Sequence, residues 1–404
     1  MVNNILILGG IILIGFIGNL FYNRTRIPES IFLILIGILL GPIFNVVQSE
    51  FFLDNATFLI SLALVIVLLD SGLKLNISKI IKNAPTAFSF TILVITSTVA
   101  IVSAITVLVF DWPLINGIFL GIIGSGTTTI TITHLVEKLN IGKNTKTMLV
   151  LESVVNDLTL ITAASILISF TIPENKPSLF KVLFDELVIS IIFGIVFAII
   201  WAYIFLNHIH GNKLAYVFTL GIAFVIFDGL ELFGFNGAIA VLVFSLALGN
   251  YSALASKLKA YSKILSPVKA DILIVRNINT EITFMMRTLF FVFLGIIFDI
   301  EVIKWVVVTF VFVITLSEVA SRYVAARVLA IFEPKFRNSV PAITTVVASG
   351  FTSTLVAFLS IEAGINIPNL AEIVLLLVIF TTLWSIIGSA ILERRIQKHE
   401  IKTY

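Results

Sequence analysis

Glu152-Ser153-Val154-Val155-Asn156-Asp157 puts two carboxylates, an amide and a hydroxyl into one short run. These are the two charged residues of an otherwise uncharged stretch over 147–171. An ionisable group inside a bilayer-spanning helix costs at least ~2.5–3.5 kcal/mol on insertion scales, so it needs a reason to be there. At about 100° per residue, Glu152 and Asn156 stack on one helix face, and Ser153 and Asp157 on the adjacent face. Asn156 can then hydrogen-bond Glu152, while Ser153 and Asp157 aim oxygens into one small volume. Clustered hard oxygens suit an alkali cation or a proton. The competing reading is a polar packing cluster in which Glu152 simply pairs with an arginine.

The rest of the chain supplies the bilayer that this reading requires. Of 404 residues, 59% are hydrophobic and 12% charged, and the mean hydropathy is +1.13. A soluble domain carries about 25% charged residues. A perimeter this poor in charge faces lipid. There is no cysteine, so disulfide, zinc-thiolate and thiol-nucleophile chemistry are excluded. About 20 apolar residues cross a bilayer core. That length predicts thirteen spans, at 3–22, 27–46, 56–73, 85–110, 114–135, 147–171, 182–206, 214–233, 236–253, 281–298, 303–331, 339–360 and 368–393. The first stretch has no basic n-region or small-residue cleavage site and reads as a retained helix. The lysine-rich, amphipathic break at 254–280 reads as a cytoplasmic interfacial segment.

Basic residues set the orientation. With the N-terminus outside, Lys176, Lys181 and Lys304 fall on the outer side. Arg287, Arg322 and Arg327 fall within spans, and the other twenty of the 26 lysines and arginines lie on the inner side. The C-terminus is then cytoplasmic. Because the basic residues sit in loops between spans, the net charge of +3 indicates membrane orientation and no nucleic-acid partner.

Two interruptions accompany the carboxylate helix. Gly124-Ser125-Gly126-Thr127-Thr128-Thr129 in span five joins two glycines to three β-branched residues, a combination poor in helix propensity. Span twelve carries Ser349-Gly350-Phe351-Thr352-Ser353-Thr354. In lipid, broken backbone survives where protein buries it or where it lines a cavity. Discontinuous helices build mid-membrane ion sites from freed carbonyls and half-helix ends. The pair of breaks fits an inverted-repeat transporter; close helix packing by small residues is the alternative. Arg322 needs a carboxylate: Glu152 is the expected partner, with Glu318 one turn earlier as the local alternative. Pairing with Glu152 leaves Asp157 as the exchanging group. Arg287 is placed to snorkel. Asp70 is either a rim residue of an inner funnel or a plain helix-end acid.

The Glu152–Asp157 run resembles the E-S-x-x-N-D signature of the monovalent cation–proton antiporter superfamily, in its sodium/proton exchanger (NhaP-like) branch. Arg26-Ile27-Pro28 with Gly37-Ile38-Leu39-Leu40-Gly41-Pro42 is similar to the family's opening element. So are Leu69-Asp70-Ser71-Gly72, Glu231 to Asn250, and Phe290 to Gly295 in their places. The resemblance implies an all-α polytopic membrane protein of thirteen helices, with inverted repeats and two crossed discontinuous helices. It implies a single membrane transport unit over 1–404, working as a homodimer with an elevator-like core. The spans at about 85–171 and 303–393 would form the core, and those at about 3–73 and 214–298 the dimerisation domain. By matching position, Asp157 binds cation and proton, Ser153 is a ligand serine, Asn156 is the family's asparagine, and Glu152 bridges to Arg322. An Asn-Asp pair goes with electroneutral exchange. The chain departs from the family at two places. Thr128 stands where the fifth helix usually has an aspartate, removing one negative charge. Thr352-Ser353 replaces the usual R-G of the twelfth helix. The serine/threonine-rich crossing is closer to potassium/proton systems.

The expected mechanism is competition. Asp157 binds either a proton or a dehydrated alkali ion, and Ser153, Thr127 and Thr128 supply neutral oxygens. Thr129, Thr352, Asp70 and Arg287 are secondary candidates. Partial desolvation lets protons compete near neutral pH. The expected activity is proton exchange for sodium, with lithium or potassium as other substrates, at 1:1 in a prokaryotic plasma membrane. A potassium/proton antiporter, or a channel or sensor-like protein on the same scaffold, is the alternative. An enzyme is not expected, since no cysteine, histidine-rich metal set, Ser-His motif or paired-aspartate motif is present. No P-loop pattern occurs, so no cofactor is expected.

Overall fold

Lipid offers the backbone no hydrogen-bond partner, so spanning segments close their bonds internally as helices. The computed structural model describes residues 4–25, 28–47, 55–75, 77–139, 141–171, 184–205, 214–251, 265–302 and 304–401. In chain order the helices are α1 (Asn4–Thr25), α2 (Glu29–Ile38), α3 (Ala56–Lys74), α4 (Ile77–Phe110), α5 (Leu114–Gly124), α6 (Thr129–Lys138), α7 (Lys143–Thr171) and α8 (Ser190–Ile204). They continue with α9 (Ala215–Leu232), α10 (Gly237–Gly249), α11 (Leu265–Ile296), α12 (Trp305–Phe332), α13 (Val340–Thr345), α14 (Phe351–Glu362) and α15 (Leu370–Ile401). Among the described residues there is no strand.

Also among the described residues, eight helices are long and apolar enough to cross a membrane: α3, α4, α7, α8 with its preceding turn, α9, α11, α12 and α15. Shorter apolar helices lie within α1, α2 with its following turn, α5, α10 and α14. Each of these overlaps one predicted span. The protein is a multi-pass, all-helical membrane protein. The largest difference from expectation is α11, which starts at Leu265 rather than near 281. Residues 265–280 of the proposed interfacial segment are therefore its first turns, while 254–264, like Arg26 and Ile27, lie outside the described residues. Polar residues dilute the hydropathy of this helix and hide its beginning. Two of them are satisfied inside the bundle: Asn279 donates to the Ile66 carbonyl at 3.1 Å and Thr280 to Asp70 Oδ1 at 2.9 Å.

The chain divides into two compact units. The first comprises Met1–Ala56, Asn83–Leu160 and Thr288–Tyr404. In it, α2 and the end of α11 meet backbone to backbone. A Cβ on Gly37 would lie 2.2 Å from the Val292 carbonyl oxygen, and one on Gly295 2.3 Å from that of Ile34. Small residues permit this approach, which substitutes for a hydrophobic drive that lipid cannot supply. An apolar cluster of Phe90, Ile132, Leu149, Ala325, Leu329 and Ile343, among others, joins α4, α6, α7, α12 and α13. It fixes one half of each broken helix against the long helices.

The second unit comprises Thr57–Lys82 and Ile161–Arg287. Its helices are continuous and close-packed. A Cβ on Gly249 of α10 would lie 2.7 Å from the Leu73 carbonyl oxygen of α3, and one on Gly194 of α8 2.6 Å from that of Ala240. Hydrogen bonds reinforce the seam: Ser245 donates to the Leu68 carbonyl at 3.1 Å, and Asn250 to that of Leu75 at 2.7 Å. Asn236 caps α10 by accepting from the Ile239 N–H at 2.9 Å.

A carboxylate between two broken helices

The two predicted interruptions are real, and they cross. The first broken helix is α5 and α6, joined by residues 125–128, with Thr128 extended (φ −100°, ψ 122°). The second is α13 and α14, joined by 346–350. This break begins earlier than the sequence suggested, and Phe351 to Thr354 are helical. β-Branched Val346 and Val347 leave the helix. The threonines sit in its first turn, where N–H groups lack intrahelical partners in any case. At the crossing, the Thr128 N–H donates to the Ala348 carbonyl at 2.8 Å. Gly350 is extended, and what demands glycine there is space: a Cβ would lie 2.5 Å from Thr128 Cβ.

Three side chains of α7 serve this crossing differently. Asn156 is fully buried and clamps the first break. Its Oδ1 accepts from the Thr127 N–H at 2.9 Å, and its Nδ2 donates to the Ser125 carbonyl at 3.0 Å. The expected Asn156–Glu152 hydrogen bond is replaced by these two, because the unwound backbone offers a donor and an acceptor that otherwise go unmet. Glu152 faces Arg322 in a fully buried, two-pronged pair, with Nη1 to Oε1 at 2.9 Å and Nη2 to Oε2 at 3.1 Å. Arg322 Nε reaches the Ile343 carbonyl at 3.3 Å, and its guanidinium lies 5.3 Å from the Phe90 ring centre. The arginine thus takes the distant partner. Glu318 is fully buried one turn away, and its carboxylate oxygens have no hydrogen-bond partner among the described residues.

Asp157 is half-buried and is held by hydroxyls. Thr129, the first residue of α6, donates to Oδ2 at 3.0 Å. Thr352, the second residue of α14, donates to Oδ1 at 2.6 Å. The N-terminal ends of two half-helices therefore flank one carboxylate, an arrangement that favours negative charge there. The secondary candidates Thr129 and Thr352 are the residues brought onto Asp157. Ser153 instead donates to the Val150 carbonyl of its own helix at 3.0 Å. The Thr127 hydroxyl lies 3.5 Å from Glu152 Oε1, and the Thr128 side chain packs on Gly350. Asp70 and Arg287 belong to the second unit. There Asp70 pairs with Lys74 at 2.5 Å, and Arg287 lies 5.7 Å from the Phe284 ring centre.

Two supports escaped sequence reading. Thr381 of α15 accepts from the Ser349 N–H at 3.0 Å, and Ser385 accepts from the Val347 N–H at 2.9 Å. They hold the second break as Asn156 holds the first. Their available signal was a polar pair at helical i, i+4 spacing on an apolar span.

Comparison with known proteins agrees with this architecture. Two solved structures of the sodium proton antiporter MjNhaP1 from Methanocaldococcus jannaschii share the fold. One, determined at pH 8, has a TM-score of 0.75 at 18% identity over 96% of this chain and 95% of that one. The other, from electron microscopy, has a TM-score of 0.71 at 20% identity over 97% of each. No curated protein matches in sequence. The family described as "Sodium/hydrogen exchanger, transmembrane" matches residues 10–394. With nearly the whole chain matched, and a buried carboxylate helix facing two crossed broken helices, the protein belongs to the sodium/hydrogen exchanger family and is a cation–proton antiporter, a secondary transporter.

Proposed function

We propose that Asp157 is the single exchanging group, binding a proton and a dehydrated alkali cation in turn. The observation that carries this is the contrast between two carboxylates on one helix. Glu152 is neutralised by the two-pronged guanidinium of Arg322, whereas Asp157 meets neutral hydroxyls of Thr129 and Thr352. A carboxylate locked to arginine has no reason to exchange protons for metal ions; one among hydroxyls does. The core crosses the membrane only when Asp157 is neutralised by one ligand or the other, since an uncompensated charge in lipid is costly. One charge exchanged for one gives electroneutral 1:1 antiport, with elevator-type alternating access.

The transported cation is sodium, with lithium and potassium as the other candidates. Potassium is the specific second reading, because Thr127-Thr128-Thr129, the end of the first break and the helix start after it, contributes no charge of its own. The protein would act as a homodimer in a prokaryotic plasma membrane, N-terminus outside and C-terminus cytoplasmic, with spans 85–171 and 303–393 as its mobile core. Ser153, Thr127 and Thr128 are the further neutral oxygens proposed for the ion. The test is Asp157→Asn in everted vesicles carrying a pH-sensitive dye. Cation-evoked proton movement should vanish, and its persistence would refute the assignment.

A further inference from the structure

We propose that Thr352, on the second broken helix, is a direct ligand of the transported alkali cation and a determinant of its affinity. This deepens the reading of Asp157 as the exchanging carboxylate and rests on it.

The Asp157 carboxylate carries one hydroxyl on each oxygen, and the two come from different broken helices. Thr129 Oγ1 lies 3.0 Å from Oδ2, and Thr352 Oγ1 lies 2.6 Å from Oδ1. A hydroxyl has one donor and two acceptor lone pairs, and it rotates to suit its neighbour. Beside a carboxylate oxygen it turns its hydrogen inward, as here. When a cation docks on the carboxylate, the same oxygen can turn a lone pair to the ion with a small outward shift from its hydrogen-bonded position. A hard cation held by oxygens at about 2.3–2.6 Å, the range calcium shows, sets neighbouring oxygens of an octahedral shell roughly 3.3–3.7 Å apart. Thr352 Oγ1, 2.6 Å from Oδ1, needs only a short outward shift to reach such an edge.

An ordinary helix-capping role does not account for this residue. A cap hydroxyl would accept from a backbone N–H of its own first turn. The Gly350 cap of α14 makes no side-chain bond, and Thr352 reaches across to α7, 195 positions away in sequence. Its neighbour adds an independent sign. Ser353 is 1% exposed, and its Oγ has no hydrogen-bond partner among the described residues. That Oγ fills the space left by Gly126 in the first break, 1.9 Å from where a Cβ would be. Burying a hydroxyl without a partner costs free energy; a cation bound at the crossing gives this oxygen a use. The ion is then gripped by α6, α7 and α14 together, so its binding couples the two broken helices.

The experiment compares wild type with Thr352→Val, Thr352→Ser and Thr352→Cys, reconstituted in liposomes. Half-saturation and maximal rate are measured for lithium, sodium and potassium at fixed pH, and stabilisation of the purified protein by each cation is measured in parallel. Thr352→Val should raise half-saturation about tenfold or more at similar maximal rate, the scale of losing a polar contact to a charged group. Cation-dependent thermal stabilisation should fall with it. Thr352→Ser should restore both. Thr352→Cys, with soft sulfur for hard oxygen, should lose both, and serves if the valine variant does not fold. Half-saturation within twofold of wild type in the valine or cysteine variant would overturn the proposal, as would a serine variant as impaired as valine. Asp157→Asn, run alongside, keeps the two failures apart. If that variant still exchanges ions, the reading of Asp157 is at fault; if it is inactive while Thr352→Val is normal, only the role of Thr352 falls.

Discussion

The first unit's helix crossing and the second unit's seam are both built on glycine and small polar residues, yet they do opposite things with the backbone. At the seam, Gly249 and Gly194 let intact helices touch, and a Cβ on either would meet main-chain carbonyl oxygens at 2.6–2.7 Å. At the crossing, Gly126 and Gly350 sit within or beside unwound segments. There the freed N–H and C=O groups are met by Asn156, Thr381, Ser385 and the opposing strand of backbone. Small residues by themselves therefore do not mark a site. What marks it is a small-residue stretch together with side chains that satisfy a broken backbone, and a carboxylate placed at the ends of the half-helices.

The sharpest way to break this contrast is to remove Arg322. Arg322→Met leaves Glu152 buried without its counter-charge and should cost about 3–5 kcal/mol, read as a large fall in melting temperature in detergent. A small loss would mean that the pair is dispensable to the fold. At the seam, Gly249→Ala forces a methyl against the Leu73 and Gly72 carbonyls and should cost about 1–3 kcal/mol. Transport by the folded fraction should keep its cation half-saturation. If Gly249→Ala altered cation affinity instead, the division of labour between seam and crossing would be wrong.

Smaller still, Thr381→Val orphans the Ser349 N–H and should cost about 1–2 kcal/mol, with a change in transport that Gly249→Ala lacks. The smallest effect lies beyond the end of α12. Burial pushes Glu333 up, but hydrogen bonds from Lys335 and Thr86, with the Lys335 charge, outweigh it and hold the carboxyl below its usual range. A depressed carboxyl stabilises the fold above the unfolded value of about 4.3, and that contribution is lost as pH falls through the folded value. Half-exposure and salt screening keep it under about 1 kcal/mol. The difference in melting temperature between wild type and Glu333→Gln should therefore be present at pH 7 and disappear at acid pH.

Much of this was legible in the sequence, because the signals are local. The spans follow from hydropathy, and the charged residues of α7 stand out against an apolar background. Arg322 needed a carboxylate, with Glu152 the expected partner and Glu318 the local alternative, and the fold selects Glu152. The breaks follow from glycine and β-branched propensity, although Val346 to Gly350 unwinds earlier than the glycine alone suggested. The start of α11 was not legible, since its buried polar residues read as loop until their partners on α3 are seen.

The chain's own pattern settled that this is a membrane bundle with an acidic helix between two interruptions, because bilayer thickness and the 3.6-residue period act within a segment. Tertiary structure alone decided which hydroxyls meet Asp157. Ser153 shares its helix face four residues away yet bonds to its own backbone, while Thr129 and Thr352 arrive from 28 and 195 positions off. Helical spacing fixes direction around one axis; which side chain ends up opposite is set by how two broken helices cross, and no local rule encodes that.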